Sequence, residues 1–185
     1  MLLYDSVIKK KLSPKRYIHS INVAKSAGIL AEKYGADPEK AKIAGILHDI
    51  TKEWSYTEHM NFVNKYKISV SKYEILSKKL LHSLTGSFYI KYILKIGDPD
   101  IINSVRYHTT AHENMSMLEK IVYISDFISE DRTFYGVERL RNLANKSMQS
   151  VITEALGFSI AELVSEKRII HPNTLKAYNQ VMAAY

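Results

Sequence analysis

Six helix starts are written into this chain by residue type alone, and they constrain its fold more than any other feature. Ser13-Pro14, Asp37-Pro38 and Asp98-Pro99 each pair an N-capping side chain with a proline at the first helical position, where the missing N–H has no helical partner to lose and φ is already set. Ser55 with Glu58, Ser71 with Glu74 and Ser116 with Glu119 fit reciprocal capping boxes, each followed by an apolar stretch. Gly35 supplies a stop for the first long helix. Val137, Leu140, Leu143 and Ala144, then Met148, Val151, Ile152 and Ala155, carry helical spacing through the second half, and Pro172 opens a last short helix. Alternating strand patterns are scarce. The expected fold is an all-α bundle, with Ser129 to Gly136 as an ordered loop.

At 185 residues the chain can bury one well-packed core. No internal repeat, low-complexity tract or flexible linker divides it, so one domain over 1–185 is expected, with residues 14–130 as its core and 131–185 as a helical cap. No segment has the 18 or so apolar residues of a membrane span, and a cytoplasmic protein that makes no membrane contact is the expectation. Lysine and arginine outnumber acidic residues by 26 to 19. That balance favours an anionic partner without choosing among nucleotide, nucleic acid and membrane surface, and simple solubility accounts for it equally well.

The chemistry is confined by what is missing. With no cysteine, thiolate metal sites and cysteine nucleophiles are excluded, and any metal must be held by His, Asp or Glu. Such residues recur at the ends of apolar helical segments, where a polar group would otherwise face the core: His19, the adjacent pair His48 and Asp49, His82, His108 and Asp126. Neighbours on a helix point about 100° apart, so His48 and Asp49 can share a ligand only beside a helix end. Four imidazoles and two carboxylates from separate segments make a plausible nitrogen and oxygen site for one or two divalent metals. Taken singly, each histidine is as readily a packed or solvated residue, and Asp49 could simply cap the next turn. His59 and His112 fall outside the pattern and are expected at the surface. Lys52 reads as a solvated lysine within reach of a phosphate; Trp54 and the tyrosines read as packing groups whose rings could also stack on a base.

The order H…HD…H…H…D resembles the HD-domain superfamily of metal-dependent phosphohydrolases, and within it the YqeK-like branch of symmetrical bis(5′-nucleosyl)-tetraphosphatases. The blocks that carry the resemblance are RYIHS, ILHDITK, LLHS, YHTT, LEKIVYISDFISEDRTFYGVERLR and IHPNTLKAYN, spread over almost the whole chain. It implies that His19, His48, Asp49 and Asp126 are metal ligands, and that His82 and His108 hold a second metal or contact substrate phosphates. It implies nucleotide contacts for Arg16, Thr109, Arg132, the run Ile169, Ile170, His171, Pro172, Asn173 and Thr174, and Asn179, alongside Asp49, His82, His108 and Asp126. Asp49, His82, His108 and Arg132 are the residues implied in catalysis. Where relatives tend to read HTTG, this chain has Ala111.

The implied fold is an HD-type helical bundle with its C-terminal helices capping the metal site. The implied reaction is metal-activated hydrolysis of diadenosine tetraphosphate into two ADP, with Fe(II) as the metal, one or two ions per chain. A homodimer is open to it. The alternatives are another HD-type nucleotide phosphohydrolase or phosphodiesterase, and a basic helical nucleic-acid-binding module with a structural metal, which would bind with steep salt dependence and no turnover.

Overall fold

The computed structural model describes residues 2–184, and among them it contains helices and no strand. The order is α1 (Asp5–Lys9), α2 (Pro14–Tyr34), α3 (Pro38–Leu47), α4 (Tyr56–Tyr66), α5 (Lys72–Leu76), a 3-10 turn (Lys78–Leu80), α6 (Leu81–Tyr92), α7 (Pro99–Tyr107), α8 (Met117–Ile128), α9 (Val137–Ala144), α10 (Met148–Ser165) and α11 (Pro172–Met182). Among the described residues no helix is long and apolar enough to cross a membrane.

The punctuation acts as its chemistry dictates. Ser13, Asp37 and Asp98 accept backbone N–H groups at the starts of α2, α3 and α7, with proline at the first helical positions. The capping boxes of Ser55, Ser71 and Ser116 are closed in both directions, and Gly35 ends α2 in the left-handed region at φ 71°. Two features depart from the sequence reading. The helical spacing after Val137 is interrupted at Asn145 to Ser147, where Ser147 accepts from Ser150 N–H and starts α10 as a separate helix. The N-terminal segment forms α1, whose Ile8 is fully buried.

Two apolar cores are built around α8. Its Ile121, Tyr123 and Ile124 join Leu140, Val151, Ile152 and Leu156 of the last helices, along with Ala27 and Leu30 of α2. Val122 faces the other way, to Ile8, Leu47, Ile50, Ile90 and Val105. Each such side chain is worth about 1.5–3 kcal/mol when fully buried, so α8 is held from both sides and its C-terminal turn is fixed. The α2–α3 contact is close because it is made of small residues. A Cβ on Gly45 would stand 2.9 Å from the Cα of Ala24, and Ala27, Ala41 and Ala44 are fully buried. Only glycine allows that backbone approach. It brings His19, on α2, beside the end of α3.

Candidate metal centre and adjoining clefts

The imidazoles are placed by helix ends. His48 and His108 are the C-cap residues of α3 and α7, where the last carbonyls lack intrahelical donors. Each ring turns back on its own helix: His48 Nδ1 lies 2.7 Å from the Gly45 carbonyl and His108 Nδ1 lies 2.7 Å from the Val105 carbonyl. His82, in the first turn of α6, makes the same contact to the Lys79 carbonyl at 2.7 Å. His19 instead places Nδ1 2.8 Å from a carboxylate oxygen of Asp131. Carbonyl and carboxylate oxygens only accept, so Nδ1 carries the proton in all four rings, and Nε2 presents a lone pair.

These lone pairs and two carboxylates converge. His19 Nε2 is 3.0 Å from Asp126 Oδ1, and His48 Nε2 is 3.9 Å from the same oxygen and 3.4 Å from Asp49 Oδ2. Asp49 Oδ1 lies 3.1 Å from His82 Nε2 and 3.6 Å from His108 Nε2, and those two nitrogens are 3.0 Å apart. The cluster is almost wholly out of water: His48 is fully buried, and His19, Asp49, His82 and His108 are at most 3% exposed. His19 Nε2, His48 Nε2 and Asp49 Oδ1 are buried with no hydrogen-bond partner. Orphaned acceptors of this kind are costly, and acceptors facing one another demand a cation between them. Two overlapping triads, His19 with His48 and Asp126, and His48 with Asp49 and His108, each offer donor atoms within 4.8 Å of one another. The donor set therefore fits a divalent ion held by nitrogen and oxygen.

The electrostatics agree. Burial pushes His82 down to about 3, the Lys52 ammonium adding to the effect, so its ring is neutral. Burial lowers His108 as well. At His48 burial works downward, but Asp49 and Asp126 outweigh it and raise the imidazole. Burial alone would raise the two carboxyls; contact with His48 and the neighbouring imidazoles holds both well below the ordinary carboxylate range.

Three cations surround the cluster. Arg16 Nη1 is 2.7 Å from Asp49 Oδ2. Lys52 Nζ sits 3.1 Å from His82 Nε2 and 3.5 Å from Asp49 Oδ1. Arg132 bonds both the carboxylate of Asp126 and, through Nε at 2.7 Å, its backbone carbonyl.

Beside the cluster an open cleft of about 210 Å³ is walled by His82, His108, Thr109, Asp126, and by Ile169, His171 and Thr174 of the C-terminal segment. Thr109 donates to Ser83, and Thr174 donates to the Thr110 carbonyl. His171 caps α11, its Nδ1 accepting from Asn173 N–H at 3.1 Å, which leaves Nε2–H as a donor. Ile170, Pro172 and Asn173 alternate with these residues without lining the cleft, and Asn179 is exposed on α11 away from it. Two more clefts adjoin. One is formed by Phe127, Phe134 and Phe158 with Asp126, Arg132 and Glu162; the other lies on the Lys52 side.

Two expectations are corrected. His59 is 4% exposed, not at the surface: its Nδ1 lies 2.8 Å from Thr85 Oγ1, in a chain that continues to Thr51, and its ring packs on Trp54. His112 is half-buried, bonded to Glu119 at 2.8 Å and packed on Tyr107. Asp131 is the residue the sequence reading missed. Its signal was only its place beside Arg132, since its partner His19 is 112 positions away. Ala111, the departure in the HTT block, takes φ 53°, the left-handed region in which glycine is the easy residue.

Residues 16–131 match the HD domain family. The chain is similar to the symmetrical bis(5′-nucleosyl)-tetraphosphatase of Halalkalibacterium halodurans, with 36% identity over 95% of this chain and 94% of that protein. It is similar to the enzyme of the same name from Bacillus subtilis, with 30% identity over 95% and 94%. A solved HD superfamily hydrolase from Clostridium acetobutylicum, described as involved in NAD metabolism, superposes with a TM-score of 0.94 at 33% identity, covering 100% of both chains.

Proposed function

Because this chain belongs to the HD-domain family, a family of divalent-metal binding, we propose that it is a metal-dependent hydrolase that cleaves diadenosine tetraphosphate symmetrically into two ADP. The observation that carries the reading is the convergence of buried, partnerless Nε2 and carboxylate atoms at the wall of an open cleft. Near full-length similarity to two symmetrical tetraphosphatases supports the substrate.

In this reading His19, His48, Asp49 and Asp126 hold the metal. Fe(II) is the ion proposed, in keeping with a mixed imidazole and carboxylate set that has no thiolate. When bound, such an ion would supply Lewis acidity toward phosphoryl oxygens and bring the pKa of a water down to about 7. The protein's own groups supply the rest. Arg16 pins one oxygen of Asp49 and so sets the plane of that carboxylate between the two triads. Asp131 keeps the His19 tautomer and ring angle. His82 and His108 present lone pairs, which suits a second cation beside Asp49. Arg132 is aimed by Asp126 and keeps Nη1 for charge developing on the phosphoryl group. The segment Ile169 to Thr174 receives one adenosine with its nearest phosphates.

The test is product analysis. Metal-loaded protein acting on diadenosine tetraphosphate, sampled early and resolved by anion exchange, is expected to give ADP alone, with ADP also inhibiting as a product. Equal ATP and AMP would mean asymmetric cleavage and would refute the reading, as would the absence of turnover.

A further inference from the structure

A symmetrical substrate has two nucleotide halves, and the cleft beside Ile169 to Thr174 accounts for one. Two neighbouring clefts compete for the other. Asp126 and Glu162 line both the central cleft and the phenylalanine cleft, but Lys52, Lys79 and Arg168 offset them in the former, whereas the latter has only Arg132, already bonded to Asp126. A polyanion entering it meets like charge. The cleft on the opposite side is lined by three ammonium groups, Lys52, which also reaches Asp49 at 3.5 Å, and Lys78 and Lys79, and by no carboxylate. It shares Lys52, Lys79 and His82 with the central cleft, so a phosphate chain crossing the metal centre emerges directly onto the lysines.

The aromatic residues there are arranged for a base. Trp54 is half-buried, its ring fixed at 5.6 Å from His59, 5.4 Å from Phe62 and 5.7 Å from Tyr89. Tyr56 is 41% exposed, with Lys78 Nζ 4.7 Å above its ring. A fixed indole edge and a tyrosine face flanked by a cation form a platform on which any base can stack. The cleft's volume of about 460 Å³ lies within the range of small-molecule sites.

We propose that the cleft formed by Lys52, Lys78, Lys79, Trp54 and Tyr56 seats the second, departing nucleoside diphosphate of a dinucleoside polyphosphate. The inference rests on the symmetrical hydrolase reading above and adds to it where the leaving half binds. The lysines take its phosphates and the rings take its base. Charge selects this cleft over the phenylalanine one.

Trp54 is the chain's one tryptophan, so the cleft carries its own optical reporter. Metal-loaded protein is titrated with a methylene-bridged, non-hydrolysable diadenosine tetraphosphate and, separately, with ADP, following Trp54 emission and binding heat. The dinucleotide is expected to change the emission, whereas ADP, at concentrations that fill only its own half, leaves it unaltered. Lys78 lines this cleft and not the central one, and its side chain is exposed, so Lys78→Glu should fold normally. It is expected to weaken dinucleotide binding about tenfold or more, with ADP affinity kept within about twofold; Tyr56→Ala should act in the same direction. A dinucleotide that binds by calorimetry without touching Trp54 emission, or a Lys78→Glu protein that loses both ligands equally or neither, overturns the subsite. If wild-type protein still yields ADP symmetrically, that failure leaves the functional reading standing. A wild-type protein that neither binds the dinucleotide nor forms ADP overturns both.

Discussion

The imidazole cluster and the lysine cleft share a wall yet are built by opposite rules. In the cluster every group but the partly exposed Asp126 is buried, every Nδ1 is tied to a named acceptor, and His48, His82 and His108 stand at helix ends. In the cleft, Lys78 and Lys79 are exposed and Tyr56 is open to solvent. Chemistry at one phosphorus needs fixed atoms, and a preorganised site provides them. Holding a departing product needs attraction that can let go, and long solvated cations provide that.

The largest effect should come from the hub of the cluster. Asp49 touches Arg16, His48, His82, His108 and Lys52. Asp49→Ala is expected to lose bound metal and about 10³-fold or more in turnover, with helical circular dichroism kept. Elemental analysis and initial rates check it, and near-normal turnover with metal retained would break the assignment of the cluster.

Next comes the one imidazole whose orienting partner is a side chain. Asp131→Asn removes the charge behind His19 and should cost about 10–100-fold in metal affinity or activity, read by competition with a chelator. Indifference to this change would mean that α2 alone fixes His19. A smaller loss, about tenfold in kcat/KM, is expected for Arg132→Lys, because a point charge cannot serve Asp126 and a phosphate with the geometry of a planar fork. Its thermal midpoint should stay near that of the parent; equal kinetics would reduce Arg132 to a structural partner of Asp126.

The smallest effect lies between the two regions, at His59. Burial lowers this imidazole below its ordinary 6.5, with Glu58 opposing. The folded chain thus takes up this proton less readily than the unfolded chain, so its contribution to stability is complete above about pH 6.5 and is lost as pH falls below that value. Thermal melts across this range should show a shallower acid-side decline in His59→Asn than in the parent. Parallel slopes would show that His59 keeps its proton equilibrium on folding.

Much of this was readable in the chain because it is local. A cap residue and its N–H target lie within three positions, so Ser13, Asp37, Asp98 and the three capping boxes announced their helices. The ligand candidates were legible as polar residues closing apolar runs, and their order along the chain carried the family resemblance. What was not legible depends on distance. His59, outside the ligand pattern, reads as a surface residue until Trp54 and Thr85 close over it. The pairing of Asp131 with His19, and the meeting of Lys52 with Lys78 and Lys79, exist only after the chain has folded. The break between α9 and α10 carried no proline or glycine, only Ser147 as a cap inside a continuous apolar period.

The carbonyls of Gly45, Lys79 and Val105 hold three rings still before any ion arrives. Immobilising a side chain at the moment of binding costs about 0.5–1.5 kcal/mol apiece, and here that loss of freedom belongs to helix termination instead. Ion exchange in such a cage is a substitution at fixed positions rather than a refolding. Ions of similar radius then meet the same frame, and the selection among them passes to the hardness of the donors and to the supply of each ion around the protein.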